Sequence, residues 1–266
     1  MATATIGSAD AQRRLWGPGA RVWSEIQEPA QDGLYRDVLD RLDLMRSADV
    51  LDVGCGAGVF AAEAVSRGLA VTGLDATPEL IELARRRVPA ARFDVGDLEA
   101  LPYADGAFDL VTGFNSFQYA ANPTRALREA RRVARVAGRV VAVVWGDPAH
   151  CESVGYVRAL GALLPPPPPG TPGPFALSED GALAGLLADA GLQPVAEGDV
   201  DTVWGYTDLE TALRACLSAG PATRAISVAG EDLVREAVAA ELEPFRASDG
   251  RVRVENRWRY VVAQKD

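Results

Sequence analysis

Three glycines at alternate positions, Gly54, Gly56 and Gly58, follow directly on a short apolar run, Asp49–Val53. Residues without a Cβ let the backbone turn tightly and let a ligand approach its N–H groups closely. Two registers overlap in this turn. Gly54-x-Gly56-x-Gly58 starts at the strand end and fits the geometry better, while Gly56-x-Gly58-x-x-Ala61 fits the relaxed dinucleotide fingerprint. Asp75 closes the next apolar run seventeen residues after Gly58. A carboxylate there can accept hydrogen bonds from both hydroxyls of a ribose lying across the two strand ends. The competing reading of Asp75 is a plain N-cap, a job that Thr77 before Pro78 is expected to do. Gly96-Asp97-Leu98, after a third run, offers a carboxylate and an apolar side chain to the edge and face of an adenine; alone it would be a surface turn. The pairing of glycine turn and Asp75 points to an adenosine-containing ligand.

The elements that must carry these residues read as alternating strands and helices. Helix-like spacings over Ala20–Leu44, broken by Pro29 and Gly33, predict two helices ahead of the core. Strands are predicted at Asp49–Val53, Leu69–Leu74, Ala91–Val95, Phe108–Thr112 and Arg139–Trp145. Helices are predicted at Val59–Ser66, from Pro78 to about Val88, and at Pro123–Val136. Such βαβ units build a parallel sheet with right-handed crossovers. Beyond Gly146 the alternation breaks. Pro165–Pro169 reads as an exposed polyproline-like connector. Helices at Asp180–Ala190, Asp208–Ser218 and Glu231–Pro244 are expected, with a strand at Pro194–Trp204. Arg251–Val262 alternates like an edge strand and would pair with Pro194–Trp204 to complete the sheet.

Composition removes several function classes. The 266 residues carry 27 basic and 37 acidic side chains, a net charge of −10, which argues against a phosphate-neutralising surface and so against nucleic acid. Every basic residue but Lys265 is arginine, so arginine count alone carries no message. Cys55, Cys151 and Cys216 form no spaced pair and His150 is the single histidine, which leaves no zinc ligand set. Met1–Asp10 lacks a signal-peptide layout and no apolar run reaches the ~20 residues of a membrane span. These features predict a cytoplasmic protein without stable membrane insertion.

Taken in order, Val50-Leu51-Asp52-Val53-Gly54-Cys55-Gly56-Ala57-Gly58, Gly73-Leu74-Asp75, Gly96-Asp97-Leu98-Glu99-Ala100-Leu101-Pro102, Phe108-Asp109-Leu110-Val111 and the arginine-rich helix leading through Gly138 into Arg139–Trp145 resemble the class I S-adenosylmethionine-dependent methyltransferases. The resemblance is to the branch that includes ubiquinone and menaquinone biosynthesis enzymes, and it covers about 100 consecutive residues. It implies an α/β, Rossmann-like fold: a seven-stranded, mostly parallel sheet with an antiparallel last strand, helices on both faces and helical lid segments. It implies a single domain over 1–266, with a helical lid at 1–47, a cofactor-binding core at 48–146, and an acceptor-side insertion with the C-terminal strands at 147–266. S-adenosylmethionine would be the cofactor and S-adenosylhomocysteine the product. Asp52 and Gly54 would face the methionine amino group. Cys55, Gly56 and Gly58 would line the cofactor path, Asp75 would hold the ribose, Asp97 and Leu98 would meet the adenine with Ala76 on its other side, and Asn115 would lie beside the methyl group. In the lid, Arg21 could pair with the methionine carboxylate, and an indole, with Trp16 as the candidate, could shield the sulfonium.

The chemistry is an in-line displacement in which the cofactor supplies the driving force, so a base is optional. If the acceptor is a hydroxyl, His150 beyond the fifth strand and Tyr119 are the candidate bases, with Asp147 comparable; an ordinary loop histidine is the competing reading. After the fourth strand the chain reads Gly113-Phe114-Asn115-Ser116-Phe117-Gln118-Tyr119, not the Asn/Asp-Pro-Pro-Tyr of amino-methylating nucleic-acid and protein enzymes. A small-molecule acceptor follows as the expectation, oxygen before carbon or nitrogen. Tyr156, Phe175, Trp204, Tyr206 and Phe245 are expected partly to roof its pocket, or to be core. Two other readings stand beside this one: a protein of the same fold that binds the cofactor without transferring methyl, and a nicotinamide-dependent oxidoreductase using the second glycine register.

Overall fold

The computed structural model describes residues 7–42, 44–168 and 171–266. The described residues begin with α1 (Ala9–Trp16) and α2 (Ala20–Val22), which runs into a π-helical turn, Trp23–Gln27, before α3 (Asp32–Arg41). Strands and helices then alternate through β1 (Asp49–Val53), α4 (Val59–Ser66), β2 (Ala70–Asp75), α5 (Pro78–Arg87), β3 (Arg92–Val95), β4 (Phe108–Phe114), α6 (Pro123–Val133) and β5 (Ala134–Trp145). The last third holds α7 (Val154–Ala162), α8 (Ala182–Asp189), β6 (Gln193–Tyr206), α9 (Leu209–Leu217), α10 (Gly220–Ala229), α11 (Glu231–Leu242) and β7 (Val252–Gln264). One seven-stranded sheet results, in the order β3-β2-β1-β4-β5-β7-β6. The first five strands are parallel, and β7 runs antiparallel to both its neighbours.

The central strands are apolar at nearly every position because both faces are covered. Val50, Leu110, Val141 and Val143 face a core shared with α3, α4, α5, α7, α9, α10 and α11. Their chain neighbours Leu51, Val111, Val140 and Ala142 face the opposite core, filled from α6 and α8. Among the described residues, no helix is long and apolar enough to cross a membrane.

The structure departs from the sequence reading at definite places. The helix after Pro123 stops at Val133, not Val136, because its last carbonyls are taken from outside. Gly106 and Ala107 donate to Arg132 and Val133, and Lys265 Nζ donates to Arg132 and Ala134. β7 alternates in burial but is an inner strand; the edge is β6, whose Asp199 and Asp201 lie opposite Arg259 and Arg257 and pair with them. Helices α1, α7 and α10 were not foreseen from the sequence. Pro165–Pro168 are exposed and irregular, whereas Pro169 and Met1–Ile6 lie outside the described residues.

α1 and α2 form a lid hinged at Gly17-Pro18-Gly19, and the C-terminal helices hold it. A Cβ on Gly220 would meet the Trp16 indole at 2.7 Å, and one on Gly19 would meet the Ser218 carbonyl oxygen at 2.1 Å. Gly19 has φ −90°, so alanine is tolerated by the backbone there and only the contact suffers. Gly19→Ala is therefore expected to lift the lid while the sheet stays folded. Limited trypsin digestion should cut at Arg13, Arg14 and Arg21 several-fold faster than in the parent chain, at an unchanged thermal midpoint; equal cutting rates would refute this hinge contact.

Candidate functional site

A cleft opens at the C-terminal ends of β1, β2 and β4, where the strand order reverses on either side of β1, the position at which open α/β sheets take ligands. The space it encloses together with the open solvent at its mouth is about 870 Å³. The floor is the glycine turn between β1 and α4. Gly54 and Gly56 adopt left-handed φ values of 76° and 53°, and a Cβ on Gly54 would collide with Ser116 at 2.5 Å. The roof is the lid. Trp16 packs edge-on against Trp23 with ring centroids 4.8 Å apart and against Tyr119 at 6.0 Å. Its Nε1 donates to Gln12 Oε1 (3.1 Å), and Gln12 Nε2 donates to the Tyr119 carbonyl (3.0 Å).

Most of the residues singled out from the sequence meet in this cleft: Trp16, Asp52, Gly54, Cys55, Gly56, Asp75, Ala76, Asp97, Leu98, Asn115 and Tyr119 all line it. Three do not. Gly58 turns the chain into α4 with φ 83°, and its absent side chain makes room for Ala84 and Phe93 instead of for a ligand. Arg21 points to solvent, its side chain 83% exposed and paired with Glu25 one turn on, so it is not placed to reach a carboxylate in the cleft. His150 sits outside the cleft in an exposed 3-10 turn with Nδ1 3.4 Å from Asp147, too far out to serve as a base there.

Asp75 has a second task. Thr77 makes no side-chain cap on α5; Asp75 Oδ1 accepts from Thr77 N (2.8 Å) and Oδ2 from Gly56 N (3.1 Å). The same carboxylate therefore shapes the turn and faces the cleft. Asp97 is held by Glu99 N (2.9 Å) and lies near the first amide of α1, Ala9 N, at 3.4 Å. Asn115 has φ 51°, a left-handed value that asparagine tolerates, and its Oδ1 accepts from Gln118 Nε2.

Glu28 was missed. It follows the π-helical turn, is 3% exposed, and its two oxygens accept from Ala57 N (2.9 Å) and Val59 N (3.0 Å), with Arg87 at 3.5 Å. A lone glutamate before Pro29 carries no spacing signal, and nothing in the sequence ties it to a turn twenty-nine residues away. Gln31, Tyr35, Phe60 and Phe114 also line the cleft without having been singled out.

Glu28, Asp52 and Asp75 thus put three carboxylates around one turn. Burial pushes Glu28 up to about 7, against the amides of Val59 and Ala57 and the charge of Arg87. Burial likewise pushes Asp52 up to about 7, against a 2.8 Å hydrogen bond from Thr112 Oγ1, and the other two acids add to the rise. Asp75 is raised for the same first reason. Such a site favours a ligand that brings positive charge. Tyr119 moves the other way from a base: burial pushes its phenol up to about 12, so it stays protonated at neutrality.

The methyltransferase domain family matches residues 51–142, a span that holds the glycine turn, Asp75, Asp97 and Asn115. A malonyl-[acyl-carrier protein] O-methyltransferase of Serratia marcescens is 36% identical over 116 residues, 42% of this chain and 46% of that protein. A demethylmenaquinone methyltransferase of Renibacterium salmoninarum is 34% identical over 113 residues, 42% of this chain and 48% of that protein. The matches thus span less than half the length of these curated relatives. The solved structure of the [4+2]-cyclase SpnF shares the fold, with a TM-score of 0.56 at 21% identity over 88% of this chain and 80% of that one. Residues 51–142 are thus similar to the methyltransferase domain, and the sheet around them shares the fold of that solved structure.

The acids make a testable demand on stability. Glu28 rises from 4.5 and Asp52 from 3.8, both to about 7, so each favours the folded state while protonated and loses that contribution as the pH climbs through 7. The loss is on the order of 3 kcal/mol per group. Asp109, Glu129, Asp147, Asp201 and Asp208 lie below their ordinary values and are ionised throughout the window, adding no slope. Between about pH 5.5 and pH 8.5 the ligand-free thermal midpoint should fall by roughly 5 °C or more. Asp52→Asn should make that slope shallower without removing it, because Glu28 and Asp75 remain, and a flat profile in the parent chain would show that the acids are not destabilised by burial.

Proposed function

We propose that the chain binds S-adenosylmethionine in the lidded cleft and transfers its methyl group to a small organic acceptor. The observation that carries this reading is the ring of three carboxylates, Glu28, Asp52 and Asp75, around a glycine turn. A ligand with a sulfonium and an amino group suits that field; a neutral or anionic nucleoside does not. In this reading Asp52 and Gly54 face the amino group, and Cys55 and Gly56 border its path. Asp75 accepts from the ribose hydroxyls. Asp97 and Leu98 meet the adenine opposite Ala76, and Asn115 lies toward the methyl-bearing end. Trp16 and Trp23 cover the sulfonium with aromatic faces and keep water out.

The cofactor, when bound, supplies an electrophilic methyl group, and the rest of the work is alignment. With Tyr119 protonated and His150 outside the cleft, neither side chain takes a proton from the acceptor. An acidic hydroxyl, phenol or carboxylic acid, needs no such help, and oxygen is accordingly the first accepting atom to test. The printed name of the Serratia relative, an O-methyltransferase, supports the same choice. The net charge of −10 speaks for a small molecule over nucleic acid.

Calorimetric titration with S-adenosylmethionine, S-adenosylhomocysteine and NAD tests the cofactor, and release of S-adenosylhomocysteine with a panel of phenols and carboxylic acids tests transfer. Binding of the first two ligands with turnover is the expected result. Binding without turnover on any acceptor would favour a non-transferring protein of this fold, and binding of NAD alone would overturn the reading. Asp75→Ala should weaken S-adenosylhomocysteine more than tenfold, because charge-assisted hydrogen bonds worth about 1.5 to 3 kcal/mol are lost. Asp75 also braces the turn, so Asp75→Asn, which keeps an acceptor for Thr77 N, is the control; unchanged affinity in both variants would remove Asp75 from the ribose.

A further inference from the structure

Helix α4 begins at Gly58, which has φ 83° and no side chain to cap the helix. The amides at this start would be open to an anion, and in dinucleotide-binding folds a phosphate takes that place. Here the anion comes from the chain itself. The π-helical turn delivers Glu28 from the lid so that its carboxylate spans Ala57 N and Val59 N. Gly56 admits it: a Cβ there would lie 3.1 Å from Glu28 Oε1. Arg87 fixes the arrangement, 3.5 Å from Glu28 and donating to the Ala57 carbonyl (2.5 Å), the Ser24 carbonyl (2.6 Å) and Ser24 Oγ (3.0 Å). The filled position belongs to the Gly56-x-Gly58-x-x-Ala61 register, the one that fits a dinucleotide.

We propose that Glu28 is the specificity-determining residue of this turn: its carboxylate fills the anion position at the start of α4, so that the cleft takes an adenosyl ligand without phosphate and refuses nicotinamide dinucleotides. The proposal rests on the reading of the cleft as an adenosyl site. A diphosphate entering the turn must displace Glu28 from both amides and from Arg87, and then stand beside Asp52 and Asp75. The sulfonium ligand has no phosphate to set on those amides and leaves Glu28 in place.

The test is calorimetric titration of the intact chain, Glu28→Gln and Glu28→Ala with NAD, inorganic pyrophosphate and S-adenosylhomocysteine, each variant checked for folding by circular dichroism. At about pH 8.5 the parent chain should bind S-adenosylhomocysteine and neither phosphate compound. Both variants should bind NAD at least tenfold more tightly than the parent value or its upper limit. A folded variant that refuses NAD and pyrophosphate as the parent does overturns the proposal. A parent chain that takes NAD and not S-adenosylhomocysteine overturns the adenosyl reading itself, so the two failures are distinct. Should neither variant fold, the parent chain decides. Its NAD affinity should rise at least tenfold from about pH 8.5 to about pH 6 as the carboxylate gains a proton, and equal affinities overturn the proposal. Asp52 from β1 and Asp75 from β2 face the same turn and gain protons too, Arg87 from α5 lies beside it, and burial holds the Tyr35 phenol from α3 well above its ordinary value; the Asp52→Asn chain must therefore show the same rise.

Discussion

Like charges crowded into a poorly solvated cleft are the condition around which this molecule is arranged. Glu28, Asp52 and Asp75 reach the same turn from the lid, from β1 and from β2, and each is partly offset by donors that the backbone fixes in place. Gly56, Ala57, Val59 and Thr77 give amides, Thr112 gives a hydroxyl, and Arg87 gives the one cation close to Glu28. Burial, which the hydrogen bonds offset and do not cancel, is the main reason that two of the carboxyls titrate near neutrality, and the neighbouring acids add to the rise. A cationic ligand offsets the charge of these acids. The cleft is in this sense built incomplete.

The remainder of the chain keeps that cleft dry. Trp16 and Trp23 are useful as a roof only while the lid lies down, and the lid is held from the far end of the sequence. Gly220 touches Trp16, Ser218 touches Gly19, and Tyr206 Oη donates to Gln27 Oε1 (2.6 Å). The pair β6 and β7 supplies the platform for those contacts. Trp145 stacks on Trp258 at 4.4 Å, with Trp204 beside them at 5.7 Å, and this aromatic block joins the sheet to the helices above it. Several of the aromatics expected over an acceptor are therefore packing residues: Trp204, Tyr156 and Tyr206 are buried in the core and do not line the cleft.

What could be read in advance follows from how local each signal is. The glycine turn, Asp52 and Asp75 are legible because strand, turn and helix are consecutive, so that spacing in sequence fixes spacing in space. The parallel order was legible for the same reason. Helix α6 ended early because Lys265, more than a hundred residues away, donates to its last carbonyls, and no local pattern records that. β7 showed the alternation of a strand with one wet face, yet β6 covers its outer edge; alternation reports faces, not neighbours. Thr77 looked like a cap by residue type, but its side chain makes no cap bond, and Asp75 takes the amide of Thr77 itself. Gly58 looked like ligand space and is helix-packing space. Arg21 has the right charge, and Glu25 one helical turn away claims it.

Glu28 shows why ligand class in this fold is a matter for the periphery. The family match runs over residues 51–142 and contains the whole glycine turn, including the register that would suit a dinucleotide. Nothing inside that span supplies the carboxylate on Ala57 and Val59, the indoles above the cleft or the contacts that hold the lid; all come from residues before 51 or after 142. A core that can turn a strand into a helix around three glycines offers an anion site by default, through unpaired amides and the helix dipole. To hold a cation there, the chain must first spend those amides on an acid of its own. The acid arrives here from another element, because the turn itself, Gly54-Cys55-Gly56-Ala57-Gly58, carries no carboxylate. The segment that carries the acid also roofs the cleft, so the shape of the cleft and the selectivity proposed for it rest on the same twenty or so residues at the edge of the shared core.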